Sequence, residues 1–416
     1  SDFDAIVVGA GCAGSVAAYT LAKAGKSALM VERGNFAGAK NMTGGRIYAH
    51  SLKKVFPNFE KEAPVERRIM RERISLLDPA SNFTIGFTSE AMAQEGKDSY
   101  SVLFGPFDQW LAEQAEEAGA EVICGIPVED LIMDGSRVLG VVAGEDELTA
   151  DVTILADGVN SLLTPKAVGA PTPKPSEMAV GVKELIELPA EVIEDRLLCG
   201  PGEGAAWLFA GDSTKGHIGG GFMYTNKSSI SLGLVATLSD LVTARTTIYQ
   251  MMEDFKQHPE VAALIRGGKL VEYSGHMVSE GGYHMIPQLV GDGCLVAGDA
   301  GMLCMNLGYC VRGMDFAVAS GQLAARAAIE AMDRKDFSAS SLNRYKELLE
   351  GSFVLRDMRQ YQRFPHFMES TKRIFNGYPA LVRDIFNGMF VVDGEPQPPL
   401  KKKVLDSARE VGFMNI

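Results

Sequence analysis

Asp4-Ala5-Ile6-Val7-Val8-Gly9-Ala10-Gly11-Cys12-Ala13-Gly14, running on to Glu32-Arg33, is the stretch that decides the fold. It reads as a buried apolar strand, a glycine turn, a helix over about 14–24 and a second strand over 27–31. Each glycine has its own physical reason. Gly9 allows the tight turn, Gly11 lets a pyrophosphate approach the backbone, and Gly14 permits close packing of helix on strand. The helix N-terminus then offers free N–H groups and a partial positive charge to phosphates. Glu32, eighteen residues beyond Gly14, closes the second strand, where a carboxylate can accept hydrogen bonds from ribose hydroxyls. The unit predicts a dinucleotide site.

Two later segments bear on which dinucleotide. A short apolar strand over 151–156 leads into Asp157-Gly158, and Leu295-Val296-Ala297 leads into Gly298-Asp299-Ala300-Gly301, then Asn306, Gly308 and a long helical stretch over about 312–332. An acid–glycine pair at the end of a central strand brings backbone close to a ligand. A second such pair, opening a turn into a helix, suits the ribityl hydroxyls of a flavin, with Asp299 as acceptor. Taken singly, such pairs are ordinary turn signals. The three motifs in this order resemble the FAD-binding lobe of the p-hydroxybenzoate-hydroxylase-like flavoproteins, and FAD is the cofactor they imply. No second glycine-rich unit with an acid follows. Gly219-Gly220-Gly221 opens no helix and reads as a close backbone approach or bulge.

The totals agree with an ordinary globular protein of two lobes: 416 residues, 46% hydrophobic and 22% charged. A formal charge of −13 argues against nucleic acid or a broad anionic surface as the main partner. The six cysteines (12, 124, 199, 294, 304, 310) include no CxxC, which fits a reducing cytoplasm and offers no thiolate set for an iron–sulfur cluster. Cys304 and Cys310 read as packing. The six histidines (50, 217, 258, 276, 284, 366) lack ligand spacing, so no metal site is expected. No Ser/His/acid order suggests hydrolysis. The sequence opens on a strand without a signal-peptide pattern, and no run reaches the roughly 18 apolar residues of a spanning helix. The expected location is cytoplasmic, with peripheral contact at the inner membrane face as an option.

Alternation over 178–188, 205–210, 217–224 and 230–236 predicts antiparallel strands, with helices over 246–258 and 259–266 stacked on them. Trp110 lies in an amphipathic helix over 107–118, and 121–124 returns as a strand. The expected architecture is α/β. It combines a discontinuous Rossmann-like FAD-binding domain (1–75, 100–165, 283–335), an antiparallel-sheet quinone or substrate domain (76–99, 166–282) and a helical C-terminal region (336–416). In that last region Tyr361, Phe364, Phe367, Phe375, Tyr378, Phe386 and Phe390 read first as a packing face, second as a partner or quinone surface.

Several stretches are more distinctive: Val31-Glu32-Arg33-Gly34, Gly38-Ala39-Lys40-Asn41-Met42-Thr43-Gly44-Gly45-Arg46, Ala179-Val180-Gly181-Val182-Lys183-Glu184, Gly298-Asp299-Ala300-Gly301 through Asn306-Leu307-Gly308, and Val411-Gly412-Phe413. With these the chain resembles, nearly end to end, the FixC-type branch of the electron-transfer-flavoprotein:quinone oxidoreductase family. The resemblance implies an FAD protein that accepts electrons from the alpha and beta subunits of an electron transfer flavoprotein and passes them to a quinone. A separate small ferredoxin-like iron–sulfur subunit is implied, since larger members carry cluster cysteines that this chain lacks. Electron bifurcation is an option within such assemblies.

The flavin carries the redox chemistry, so no catalytic side chain is expected. The cofactor set is Gly9, Gly11, Ala13, Gly14, Glu32, Arg33, Thr43, Gly44, Gly45, Arg46, Val128, Asp157, Gly158, Gly298, Asp299, Gly301, Asn306 and Gly308. The family lends backbone near Val128 to adenine and returns the Thr43–Arg46 loop along the isoalloxazine. N–H groups around Gly308 are expected near flavin N1/O2. Arg46 is either a flavin-tuning cation or a surface ion-pair partner. Relatives commonly carry an arginine where this chain has Phe104. Two other enzyme classes remain open: a geranylgeranyl-reductase-type enzyme, faintly suggested by Ala206-Trp207-Leu208-Phe209-Ala210, and an NAD(P)H-dependent aromatic hydroxylase. A non-enzymatic flavin-bearing scaffold is the fourth reading. Lys401-Lys402-Lys403 reads as a solvated surface before a lipid contact.

Overall fold

The computed structural model describes residues 1–41 and 44–410. By its internal contacts the chain divides into two units, each assembled from three segments. The first comprises Ser1–Arg68, Ala91–Met178 and Met277–Phe364; the second comprises Ile69–Glu90, Ala179–His276 and the chain from Pro365 onward. The helical stretch after 336 is thus shared between the two.

The first unit starts with strand β1 (Phe3–Val8), helix α1 (Cys12–Lys23) and strand β2 (Ala28–Glu32). The apolar run at 5–8 does not alternate because both faces of β1 are covered, and Ala5, Ile6 and Val7 have no exposure. β1 pairs in parallel with β2 and with the strand Asp146–Leu155. Beyond them lie Glu121–Cys124 on one side and Cys294–Val296 on the other, again parallel. The carboxyl ends of all these strands share one edge of the sheet, so the turns after Val8, Leu155 and Val296 emerge side by side with Glu32.

The long helix Met314–Arg334 crosses α1 with unusually small residues at the contact. A Cβ on Gly321 would fall on the Ala13 carbonyl oxygen, and Ala324, Ala325, Ala327, Ala328 and Ala331 line its buried face. Helices Arg344–Gly351 and Phe353–Gln360 add Tyr345, Leu349, Val354, Leu355 and Met358 to this core.

The second unit is an antiparallel sheet. Its order is Lys269–Ser279, Met178–Glu187, Ser229–Thr237, Gly219–Thr225, Glu203–Gly211, the later part of Val65–Asp78, and Ser81–Phe87. Alternation sorts its side chains cleanly. Val182, Ile186, Trp207, Phe209, Met223, Leu232 and Leu234 face the helices Ile248–Gln257 and Pro259–Ile265, which supply Met251, Met252, Phe255, Val261 and Leu264. Gly221 sits beneath Phe255, where a Cβ would approach the ring to 2.5 Å; the glycine run is a close approach within a strand. On the other face Leu208, Phe222, Tyr224 and Val235 stay half-buried.

The aromatic C-terminal stretch divides by position. Phe375 is buried, while Phe386 of helix Tyr378–Phe390 stacks on Phe83 at 4.9 Å and on Phe390 at 5.9 Å. Phe390, Val391, Val392 and the hairpin residues Ile85 and Phe87 remain exposed.

Candidate functional site

The three glycines of the first turn have different neighbours. A Cβ on Gly14 would fall on the Gly9 carbonyl, and one on Gly9 would fall on the Ala156 carbonyl; both glycines serve the fold. Gly9 also holds φ of 98°, a left-handed conformation that disfavours any side chain. Gly11 differs, because a Cβ there meets no protein atom within 4 Å. It is the N-cap of α1, and no side chain caps the helix. An open backbone approach at an uncapped helix N-terminus is what a pyrophosphate needs.

Around this turn the structure gathers the other motifs. Glu32 accepts from the Ala10 N–H at 2.9 Å and from the Gly34 N–H at 2.7 Å, which fixes the carboxylate beside the turn. Its carbonyl accepts from the Ile126 N–H at 3.2 Å, bringing the chain just before Val128 alongside. Asp157 follows the Ala156 carbonyl that Gly9 abuts, and its Oδ1 is buried without a hydrogen-bond partner. Gly158 holds φ of 84°, and a Cβ there meets nothing within 4 Å. A Cβ on Gly298 would come 2.9 Å from Ala13 Cβ, while its N–H donates to Ser320 Oγ at 2.9 Å. Asp299 is thereby held next to the start of α1. Gly301 packs on Leu289, and Arg33 lies at the surface, near enough for its charge to be felt at Asp157.

Burial raises Asp157 and Asp299 to about 6. Asp157 is partly satisfied by Ser161 but keeps one buried oxygen without a donor, and Asp299 is half-buried with acceptor capacity that ribityl hydroxyls could use. The residues present therefore fit a flavin dinucleotide.

The loop before Arg46 is tied to the helix Phe104–Glu117, three residues longer at its start than the sequence suggests. Asn41 Nδ2 donates to Asp108 Oδ2, and Cys12 Sγ lies 3.7 Å from Asp108 Oδ1. Burial lifts Asp108 to about 7, against the pull of those hydrogen bonds. A Cβ on Gly38 would come 2.8 Å from the Phe104 carbonyl, and one on Gly45 would come 3.1 Å from its ring. Phe104 thus packs against the loop from both its backbone and its ring. Gly44 holds φ of 71°; Thr43 lies outside the described residues. Arg46 is half-buried, donates to Ser99 Oγ at 3.0 Å and stacks over Tyr48 at 4.7 Å.

Tyr48 introduces a group that the sequence reading missed. Its hydroxyl lies 3.3 Å from Cys310 Sγ, and Arg312 approaches its ring at 6.0 Å. Arg312 donates from Nε at 2.8 Å and Nη2 at 2.6 Å to Asp315 Oδ2, and from Nη1 at 2.6 Å to Asp357. His50 Nε2 donates to the same Asp315 oxygen at 2.9 Å. The i,i+3 spacing of Arg312 and Asp315 at a helix start was the one legible signal. Asn306 and Gly308 sit on the exposed hairpin just before this helix, where the Gly308 N–H donates to Asn306 Oδ1 at 2.8 Å. That N–H, expected to face the flavin, is engaged within its own turn. Cys304 hydrogen-bonds with Ser279, so the two late cysteines have separate surroundings. Among the described residues no cluster of His, Cys, Asp or Glu could hold a metal ion.

The raised carboxylates give a pH prediction. The folded flavin-free chain retains protons on Asp157, Asp299 and Asp108 at pH values where the unfolded chain has released them. That stabilisation is complete below about pH 4 and is lost as pH rises through about 6 to 7. The flavin-free chain should therefore melt lower at pH 7.5 than at pH 5. Bound flavin, by donating to Asp157 and Asp299, should reduce the difference. Equal pH slopes with and without flavin, by differential scanning fluorimetry, would contradict this placement.

Comparison with known proteins agrees with this geometry. An FAD dependent oxidoreductase model matches residues 4–164, an ETF-QO ubiquinone-binding model matches 178–278, and an ETF-QO/FixC family C-terminal domain model matches 364–416. The chain is 53% identical to the probable electron transfer flavoprotein-quinone oxidoreductase YdiS of Escherichia coli K12, over all of this chain and 96% of YdiS. It is 52% identical to Protein FixC of the same strain, with the same coverage. Among solved structures, a geranylgeranyl bacteriochlorophyll reductase-like protein from Thermoplasma acidophilum superposes with TM-score 0.74 at 20% identity, covering 99% of this chain and 96% of that one. The flavin-dependent brominase Bmp2 gives 0.65 at 16% identity, with both chains fully covered. These two likenesses are of fold.

Proposed function

Because the chain belongs to the electron transfer flavoprotein-quinone oxidoreductase/FixC family, we propose that it accepts electrons from an electron transfer flavoprotein and delivers them to a quinone. It is an FAD-dependent oxidoreductase. The observation that carries the proposal is the pairing, in one chain, of the flavin cradle with a ubiquinone-binding match across the antiparallel sheet. Bound FAD supplies the redox chemistry and can hold an electron pair between donor and acceptor.

The chain's own groups bind and orient. The α1 N-terminus and Gly11 receive the pyrophosphate, Glu32 the adenosine ribose, and Asp157 and Asp299 the hydroxyls of the ribityl end. The loop 44–46, braced by Phe104, would border the flavin ring system, where Arg46 would favour negative charge.

The partners in this reading are the two electron transfer flavoprotein subunits, a small ferredoxin-like iron–sulfur subunit and a quinone; a bifurcating assembly is one form it takes. Among the described residues no helix is long and apolar enough to cross a membrane. Exposed Ile85, Phe87, Phe390, Val391 and Val392, with exposed Lys401 and Lys402 close in sequence, favour peripheral contact with a lipid surface.

The test is anaerobic. Reduced electron transfer flavoprotein is mixed with the FAD-loaded chain and a short-chain quinone, and quinol is followed. Quinol formation that requires both proteins supports the reading. An FAD-loaded chain that electron transfer flavoprotein cannot reduce overturns the donor assignment.

A further inference from the structure

Lys183 lies in the middle of the strand Met178–Glu187 with 3% exposure, an unusual place for a lysine. Its strand neighbours Val182 and Glu184 point to the helix-covered face, where Glu184 pairs with Lys256 at 2.9 Å. Lys183 therefore points to the opposite face. There it stands in a row that runs across four strands: Lys183 opposite Gly233, Gly233 opposite Phe222, and Phe222 opposite Leu208.

Gly233 explains the arrangement. A Cβ at that position would fall on the Phe222 ring. Its absence lets the ring lie across the sheet, with Lys183 Nζ 5.2 Å from the ring centroid. Half-buried Leu208, Tyr224 and Val235 extend the same apolar surface. Glu272, on the strand Lys269–Ser279, is the acid whose charge reaches Lys183. Burial brings the ammonium down to about 7, against the upward pull of Glu272. An apolar plate of aromatic and aliphatic groups suits a quinone ring, and a cation beside it suits the oxygen that gains charge.

We propose that Lys183 is the proton donor to a quinone bound on this face of the sheet. The inference rests on the quinone reading above and assigns its acid. Conversion of quinone to quinol takes two electrons, from the reduced flavin, and two protons. One O–H bond forms at the oxygen beside Lys183 as an N–H bond of its ammonium breaks; the second proton comes from solvent. The neutral amine regains its proton from water. An acid that titrates near working pH is suited to this transfer.

The experiment uses the full FAD-loaded chain, reduced anaerobically and then mixed with a short-chain quinone or with ferricenium, a one-electron acceptor that takes up no proton. In the wild type, quinone-driven reoxidation should fall as pH rises through about 7, while ferricenium-driven reoxidation should not. Lys183→Met should slow the quinone reaction by roughly tenfold or more and remove that limb, with the ferricenium rate within about twofold of wild type. Lys183→Arg keeps the charge without titrating in this range, so it too should lose the limb; it decides the matter if the methionine variant fails to hold FAD. A limb that persists in the arginine variant, or a methionine variant with wild-type quinone kinetics, overturns the donor. A wild-type chain reoxidised by ferricenium but not by any quinone overturns the functional reading instead.

Discussion

Gly11→Val should yield a folded, soluble chain that contains essentially no FAD. The expectation follows from what surrounds each glycine of the first turn. Gly11 has φ of −81°, open to any residue, and a Cβ there meets nothing of the protein within 4 Å. Neither backbone nor packing requires a glycine; only an approaching ligand does. An isopropyl group would occupy the space through which phosphate oxygens reach the helix N–H groups. The flavin-to-protein ratio, read from the visible spectrum, should drop to background while the melting temperature stays near that of the flavin-free wild type. Gly14→Val is the contrast, because its side chain would be driven into the Gly9 carbonyl; it should lose the fold itself. A yellow, stoichiometric Gly11→Val protein would remove the pyrophosphate from this turn.

Asp315→Ala should cost about 1.5–3 kcal/mol of stability, the usual loss when charged hydrogen bonds to a buried carboxylate are removed while the cation keeps a second partner. Asp315 is 1% exposed and receives two hydrogen bonds from Arg312 and one from His50. Arg312 itself packs against Phe316 at 4.7 Å and Phe353 at 5.1 Å, which favours its staying at this site. The neighbouring Asp357 also binds Arg312, but its side chain is 34% exposed, and Asp357→Ala should cost roughly 1 kcal/mol or less. Urea unfolding of the three proteins at one pH reads the difference. Equal losses would mean that burial of Asp315 is not what holds the start of the long helix.

Much of the geometry around the first glycine turn was legible because it is built from backbone. A glycine turn, an acid at a strand end and a helix start have fixed spacing, so the gathering of Gly9, Gly11, Gly14, Glu32, Asp157 and Asp299 at one sheet edge could be read directly. The four strands from 178 to 236 were equally clear, since one face of each carries the large apolar side chains that pack on the helices. The long strand Val65–Asp78 was not. It carries Glu66, Arg67, Arg68, Arg71, Glu72 and Arg73, and the reason is visible in Arg73, which stacks over Trp207 at 4.8 Å while donating to the Leu197 carbonyl. Charge that is satisfied by partners distant in sequence looks, from the sequence, like a loop. The edge strand Lys269–Ser279 escaped for the opposite reason: it is largely exposed and has no apolar stripe. Tyr48, His50, Arg312 and Asp357 meet only through tertiary packing, and Lys183 passed as one letter of a family signature until the gap at Gly233 gave it a setting.

The assembly of the first unit from three distant segments has a consequence for synthesis. Strand Cys294–Val296 completes the parallel sheet beside Asp146–Leu155, yet roughly 140 residues separate them in the chain. At about 5–20 residues per second, a ribosome leaves that sheet with an open edge for about 7–28 s. Throughout that interval the nascent chain exposes unpaired N–H and C=O groups along a strand made for pairing. Asp299 and the helix that closes over α1 arrive only at the end of it. Flavin loading is therefore a late event in the life of each molecule, and the unfinished chain is the form most in need of a chaperone.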